Sequence, residues 1–152
     1  CVVTNLPYYI TSKLITKIVS SSTPINRLVA MVQKEVALKL CSEEKSPLKM
    51  MIDYVGDVQY ELNVPRHVFM PAPHVDSAVI SIHKERVISQ ELIDLIEASY
   101  TAKRKTLYNN LKSLYHDQTK ELLESCGIPA NKRAEELNID DYIRILERSH
   151  TL

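Results

Sequence analysis

Apolar residues recur along this chain with two different periods, and the switch between them divides it in two. Residues 2–4 are a short β-prone run ending at Asn5, and Pro7 interrupts regular structure just beyond it. Leu14, Ile15, Ile18 and Val19 then share one helical face, with Thr11 or Ser12 placed to cap it. Residues 27–33 hold the longest unbroken apolar run, as expected of a strand covered on both faces in a parallel sheet. Residues 34–41 read as the helix that follows, and strand–helix–strand–helix is α/β grammar. Residues 42–50, polar around Pro47, are expected to be a loop. Val58, Tyr60, Leu62 and Val64 alternate with polar neighbours, the pattern of a half-buried strand. Pro65, Pro71 and Pro73 mark an irregular connection to a further strand, 78–83, antiparallel to the one before.

After Lys84 the alternation stops. Ser89 caps a helix with Leu92, Ile93 and Ile96 on one face, and a second helix is predicted over roughly 103–114. A third opens at Asp117 and stops at Cys126, with Gly127 at the left-handed cap and Pro129 beyond. Asn138 and Asp141 form a capping-box pair for a last helix over 139–148. The boundary falls near residues 85–89, giving an α/β unit, 1–88, and an all-helical unit, 89–152.

Composition narrows the class. With 45% hydrophobic and 25% charged residues, the chain can bury a real core and is not disordered. Formal net charge is zero, so no global basic field announces a nucleic-acid partner, and any RNA contact must come from local patches. No apolar stretch approaches the ~20 residues of a membrane span. Cys1, Cys41 and Cys126 are odd in number and far apart, which suits reduced thiols in a cytoplasmic setting rather than a disulfide framework or zinc site. The histidines His67, His74, His83, His116 and His150 do not cluster at ligand spacing, so no metal is expected.

The strongest chemical signal is Asn5-Leu6-Pro7-Tyr8, just past the carboxy end of a strand, where open α/β sheets place their ligands. The exocyclic amine of adenine is a poor nucleophile because its lone pair is delocalised into the ring. Two acceptors aimed at its N–H groups, the Asn5 side-chain oxygen and the Leu6 carbonyl, would draw the nitrogen toward tetrahedral geometry. Pro7 stiffens the turn and Tyr8 offers a ring for stacking. Such a site works by positioning and preorganised electrostatics, without a strong base. As a bare tetrapeptide, the same residues are equally a strand end and a turn.

Context adds to the motif. Residues 5–8 followed by Tyr9-Ile10-Thr11-Ser12 resemble the catalytic motif of the ribosomal RNA adenine-N6,N6-dimethyltransferases. Met31-Val32-Gln33-Lys34-Glu35-Val36-Ala37 resembles that family's buried strand and the helix after it. Phe69-Met70-Pro71-Ala72-Pro73-His74-Val75-Asp76-Ser77-Ala78-Val79 resembles its F-x-P-x-P-x-V-D-S-A-V segment. Lys103-Arg104-Lys105-Thr106-Leu107 with Asn110 and Leu111 is similar to its R-R-K-T-L-x-x-N-L helix, and Arg133-Ala134-Glu135-Glu136-Leu137 to its R-x-E-x-L turn.

The resemblance implies the carboxy-terminal half of a Rossmann-like methyltransferase sheet followed by a small all-α domain. It also implies S-adenosylmethionine as methyl donor, touched by Asn5, and adenine N6 of small-subunit ribosomal RNA as acceptor, with the 30S subunit as partner. Tyr8 and Phe69 would sandwich a flipped base. Apart from the resemblance, the basic residues Lys103, Arg104 and Lys105 are candidates for phosphate contacts, with Lys34, Arg66, Lys112 and Arg133 weaker ones. On a helix, the three consecutive cations 103–105 would fan out and not all serve one surface. Arg133 could equally pair with Glu136, and Asp76 is expected to accept backbone N–H bonds in a turn.

The family's glycine-rich donor loop cannot be built from this chain, whose only glycines are Gly56 and Gly127. The donor pocket is therefore expected to be incomplete and the isolated chain a poor enzyme, with an exposed sheet edge that a second copy could cover in a homodimer. The loop Glu44-Lys45-Ser46-Pro47-Leu48-Lys49 lacks the Tyr-Gly pair usual in the family. A non-catalytic RNA- or ribosome-docking module, a large-subunit methyltransferase of the macrolide-resistance type and a DNA amine methyltransferase are the alternatives. The helical tail and the proline-flanked Phe69 argue against the last.

Overall fold

The computed structural model describes residues 2–5, 8–21, 26–68, 70–72 and 74–151, with side chains from Lys13 onward. The chain divides into two compact units. The first comprises residues 1–44 and 52–88, the second residues 45–51 and 89–152. Residues 45–51 thus group with the helical unit although they precede the boundary expected from sequence.

The first unit is built on four strands, β1 (Val2–Asn5), β2 (Arg27–Gln33), β3 (Gly56–Val64) and β4 (Ser77–Lys84), in the order β1-β2-β4-β3. β1 and β2 run parallel, whereas β4 is antiparallel to both β2 and β3. Helix α1 (Tyr8–Ser20) packs on β2, and α2 (Lys34–Cys41) packs across β2, β3 and β4. Leu28, Ala30 and Val32 on β2 lie beside Ile82, Ile80 and Ala78 on β4, and all six are buried. Ile15 and Val19 of α1 and Ala37 and Leu40 of α2 are buried as well.

The opposite face differs from expectation. Val29 and Met31 are only half-buried and Arg27 is exposed, so β2 alternates instead of being covered on both sides. Its β4 neighbours there are Val79 beside Met31 and two polar residues, Ser81 and His83: Ser81 donates a hydrogen bond to Glu61 at 2.5 Å, and His83 is exposed.

Helix α1 begins at Tyr8, earlier than the Thr11 or Ser12 cap expected from sequence. A proline just before a helix does not obstruct it, because the first-turn N–H groups have no intrahelical partner to lose. The predicted loop 42–50 contains the start of a helix, α3 (Pro47–Val55). Ser46 Oγ accepts from Lys49 N–H at 3.1 Å, so Ser46 acts as cap and Pro47 opens the first turn. Met50, Met51, Ile52 and Val55 are buried, which is why the helix forms.

The helical unit holds α4 (Gln90–Ser99), α5 (Leu107–Tyr115), α6 (Thr119–Ser125) and α7 (Ile139–Ser149). Ser89 caps α4 by accepting from Leu92 N–H, and Asn138 with Asp141 closes a reciprocal capping box on α7. Gly127 ends α6 at φ 71°, the left-handed conformation that glycine adopts without strain. Leu92, Leu95, Ile96, Leu107, Leu111, Leu122, Leu123, Tyr142 and Ile145 form the core.

Candidate functional site

The strand register gathers most candidate residues at one end of the sheet. Asn5 is level with Met31, Gln33 with Ser77, and Ser77 with Val64. The carboxy ends of β1, β2 and β3 and the amino end of β4 therefore lie together. Asn5, the start of α1 at Tyr8, the start of α2, and Arg66 and Asp76 between β3 and β4 lie there. Leu6, Pro7 and Phe69 lie outside the described residues, as do the side chains of Asn5 and Tyr8.

Asp76 ties this end together. Its carboxylate accepts the Arg66 N–H at 2.9 Å and its carbonyl accepts the Lys34 N–H at 3.0 Å. The Arg66 guanidinium donates to the His74 carbonyl at 3.3 Å. Lys34 and Arg66 are consequently brought to one concavity of about 840 Å³, which Leu38, Lys39, Glu44, His74 and Val75 also line. Lys39 is paired with Glu35 at 3.3 Å. Leu38 and Val75 are unusually exposed for their type, at 52% and 45%. The concavity thus offers an apolar floor with a rim of both signs, a surface suited to a nucleotide's base and phosphate. Sequence reasoning missed Leu38, Lys39, His74 and Val75. The signal for Leu38 was its i+4 spacing from Lys34.

At the far end of the same sheet Lys84 is 9% exposed, and its ammonium donates to the carbonyls of Ile18, at 3.2 Å, and Ser21. Burial lowers its pKa from the usual lysine value. Lys84 thereby closes the carboxy end of α1, the helix whose other end begins at Tyr8.

The second group of candidates lies in the helical unit and corrects the sequence reading. Lys103, Arg104 and Lys105 are not on a helix, because α5 starts at Leu107 with Thr106 as its cap, Thr106 Oγ1 accepting from Asn109 N–H at 3.3 Å. The three cations occupy the turn before it, and all are exposed. The Leu107 N–H donates to the Lys132 carbonyl at 2.6 Å, which joins this turn to the segment carrying Lys132 and Arg133. Arg133 is exposed, and its backbone N–H, not its guanidinium, bonds Glu136, at 2.7 Å. Lys132 was missed from sequence. Lys112 stands over the Tyr108 ring at 5.0 Å.

A sheet ordered in this way, with helices following β1 and β2 and two antiparallel strands completing one side, is the carboxy-terminal part of a Rossmann-like methyltransferase fold. A dimethyladenosine transferase from Plasmodium falciparum superposes with a TM-score of 0.82 at 24% identity, covering 98% of this chain and 66% of that one. The 23S rRNA methyltransferase ErmE superposes with a TM-score of 0.64 at 22% identity, covering 96% of this chain and 63% of that one.

The family described as ribosomal RNA adenine dimethylase matches residues 1–150, and the chain belongs to it. Ribosomal RNA small subunit methyltransferase A of Fusobacterium nucleatum is 37% identical over 96% of this chain and 60% of its own length. The protein of the same description from Bacillus cytotoxicus is 37% identical over 93% of this chain and 54% of its own length. The chain thus spans about three-fifths of the first of these relatives and about half of the second. Among the described residues no helix is long and apolar enough to cross a membrane.

Proposed function

We propose that this chain carries the catalytic turn and the RNA-holding surfaces for S-adenosylmethionine-dependent dimethylation of adenine N6 in small-subunit ribosomal RNA. The observation that carries the reading is the common placement of Asn5, the start of α1 at Tyr8, Lys34 and Arg66 at one end of the sheet, in a chain of this family. In this reading the Asn5 oxygen and the Leu6 carbonyl accept the two N–H groups of the adenine amine. Tyr8 and Phe69 stack on the flipped base, and Lys34 and Arg66 hold the neighbouring backbone. Lys103, Arg104, Lys105 and Arg133, joined by Lys132, meet other phosphates of the RNA. S-adenosylmethionine supplies an electrophilic methyl group.

The residues present do not fit the whole of that donor. Gly56 opens β3 at the end of the sheet away from the concavity, and Gly127 caps α6, so neither contributes a glycine-rich turn beside Asn5. That observation favours a second reading for the chain by itself, RNA docking without methyl transfer.

Three measurements on this chain test both readings, the first being its binding to small-subunit ribosomal RNA followed by filter retention. Calorimetric titration with S-adenosylmethionine, followed by mass spectrometry of small-subunit ribosomal RNA incubated with chain and donor, reports donor binding and dimethyladenosine. RNA binding without either supports docking alone. Dimethyladenosine that disappears in Asn5→Ala supports the catalytic turn. Failure to bind the RNA at all refutes both.

A further inference from the structure

Asn110 is 7% exposed, and its side-chain amide donates to two backbone carbonyls, those of Ser99 at 2.8 Å and Ala102 at 3.1 Å. Ser99 is the last residue of α4, where carbonyls lack an intrahelical partner. The Ala102 carbonyl also receives the Lys105 N–H at 3.0 Å. One side chain therefore fixes both the exit of α4 and the near side of the turn that presents Lys103, Arg104 and Lys105. Its far side is held by the Thr106 cap and by the Leu107–Lys132 bond.

A leucine at this position would leave the buried Ser99 carbonyl and the part-buried Ala102 carbonyl without this donor. An amide costs desolvation and is stable here only because both donors are satisfied. The segment it holds carries three adjacent like charges, whose repulsion opens a slack turn. We infer that Asn110 is a positioning residue. By pinning residues 99–102 it sets the conformation of the cationic turn before RNA arrives, so less ordering remains when phosphates bind. This inference rests on the proposal that the 103–105 turn meets the RNA backbone.

The test uses this chain and a fluorescent stem–loop RNA with two adjacent loop adenosines, its affinity followed by anisotropy over a range of salt. Asn110→Ala is expected to flatten the salt dependence by about one phosphate contact or more and to lower affinity on the order of tenfold. In a Lys103→Ala/Arg104→Ala/Lys105→Ala background the same change is expected to cost no further affinity, while lowering the melting temperature as much as it does in wild type. A residue that only supports the fold would not show that pattern.

Wild-type affinity and slope in Asn110→Ala overturn the inference and leave the turn's role intact, as does a loss that adds in full to that of the triple variant. Wild-type binding by the triple variant overturns the role of the turn and the inference with it. Should Asn110→Ala fail to fold, nitrogen relaxation on the unmodified chain decides. Order parameters near 0.85 at residues 103–105 support a pinned turn, and values below about 0.6 refute it.

Discussion

Replacing Tyr142 by phenylalanine should destabilise the helical unit at neutral pH and cease to do so in alkali. Tyr142 is 0% exposed, and its hydroxyl lies 2.8 Å from Ser99 Oγ. The single Ser99 proton is committed to the Ile96 carbonyl at 2.7 Å, so Tyr142 donates and Ser99 accepts. Tyr142→Phe keeps the ring and removes one buried neutral hydrogen bond, a loss of about 1 kcal/mol. Burial raises the Tyr142 pKa, the bond to Ser99 only partly opposing it. A tyrosine in the unfolded chain ionises near pH 10. Because the folded value is the higher one, the contribution of Tyr142 is complete below pH 10 and is lost as pH climbs from there toward the folded value. By about pH 11 the unfolded state has gained roughly 1.4 kcal/mol from ionising a group that stays neutral in the folded state. The phenylalanine variant has no such loss. The two stabilities should therefore converge and cross between about pH 10 and 11. Tyr115, whose pKa burial also raises, is present in both proteins and cancels in the difference. Tyr100, whose pKa burial raises and the Tyr142 hydroxyl lowers, loses that opposing contact in the variant, which delays the convergence toward the upper end of that range. Urea titrations followed by helical circular dichroism measure it, the chain having no tryptophan. An equal gap at neutral and alkaline pH, or a more stable phenylalanine variant at pH 7, would refute the reasoning.

Three further outcomes follow from the same structure. Asn138→Ala opens the capping box of α7 and should cost about 1 kcal/mol, read from the same urea titrations. Gly56→Ala would place a Cβ 1.8 Å from the His83 carbonyl oxygen, so β3 must shift away from β4. A destabilisation of about 1–3 kcal/mol or more, with faster amide exchange along β3, is expected. Lys84→Met leaves two carbonyls at the end of α1 without their charged donor. Amides of α1 should then exchange faster than those of the helical unit, and the chain should lose about 1.5–3 kcal/mol.

Where packing and local propensity agree, the elements could be read from the residues. The capping pair Asn138 and Asp141, Ser89 before Leu92, and Gly127 before Pro129 each act within a few residues, and α4, α7 and the end of α6 stand where the pattern puts them, whereas α6 opens at Thr119 after a 3-10 turn over His116–Gln118 and not at Asp117. Alternation in 58–64 and the apolar run in 78–83 likewise gave two antiparallel partners. What escaped depends on partners distant in sequence. The helix at Pro47–Val55 looked like loop because Pro47 and its polar neighbours mask the burial of Met50 and Met51. The half-covered face of β2 could not be foreseen either, because it depends on β4, some fifty residues later, and the polar partners it brings.

The cationic turn shows why such a miss matters for function. Lysine and arginine are good helix formers, and the apolar spacing from Leu107 onward extends backward without conflict, so a helix from Lys103 is the natural reading. Two interactions overrule it. Thr106 ends the run by capping at Asn109, and Asn110 captures the carbonyls of Ser99 and Ala102 from the core side. On a helix the three charges would point to different sides, and a phosphate chain could meet two at most. In the turn all three stay exposed beside the segment of Lys132 and Arg133. A buried amide seven residues beyond Lys103 thus helps hold that stretch as an exposed turn instead of a helix face, the conformation that the proposed RNA contact requires.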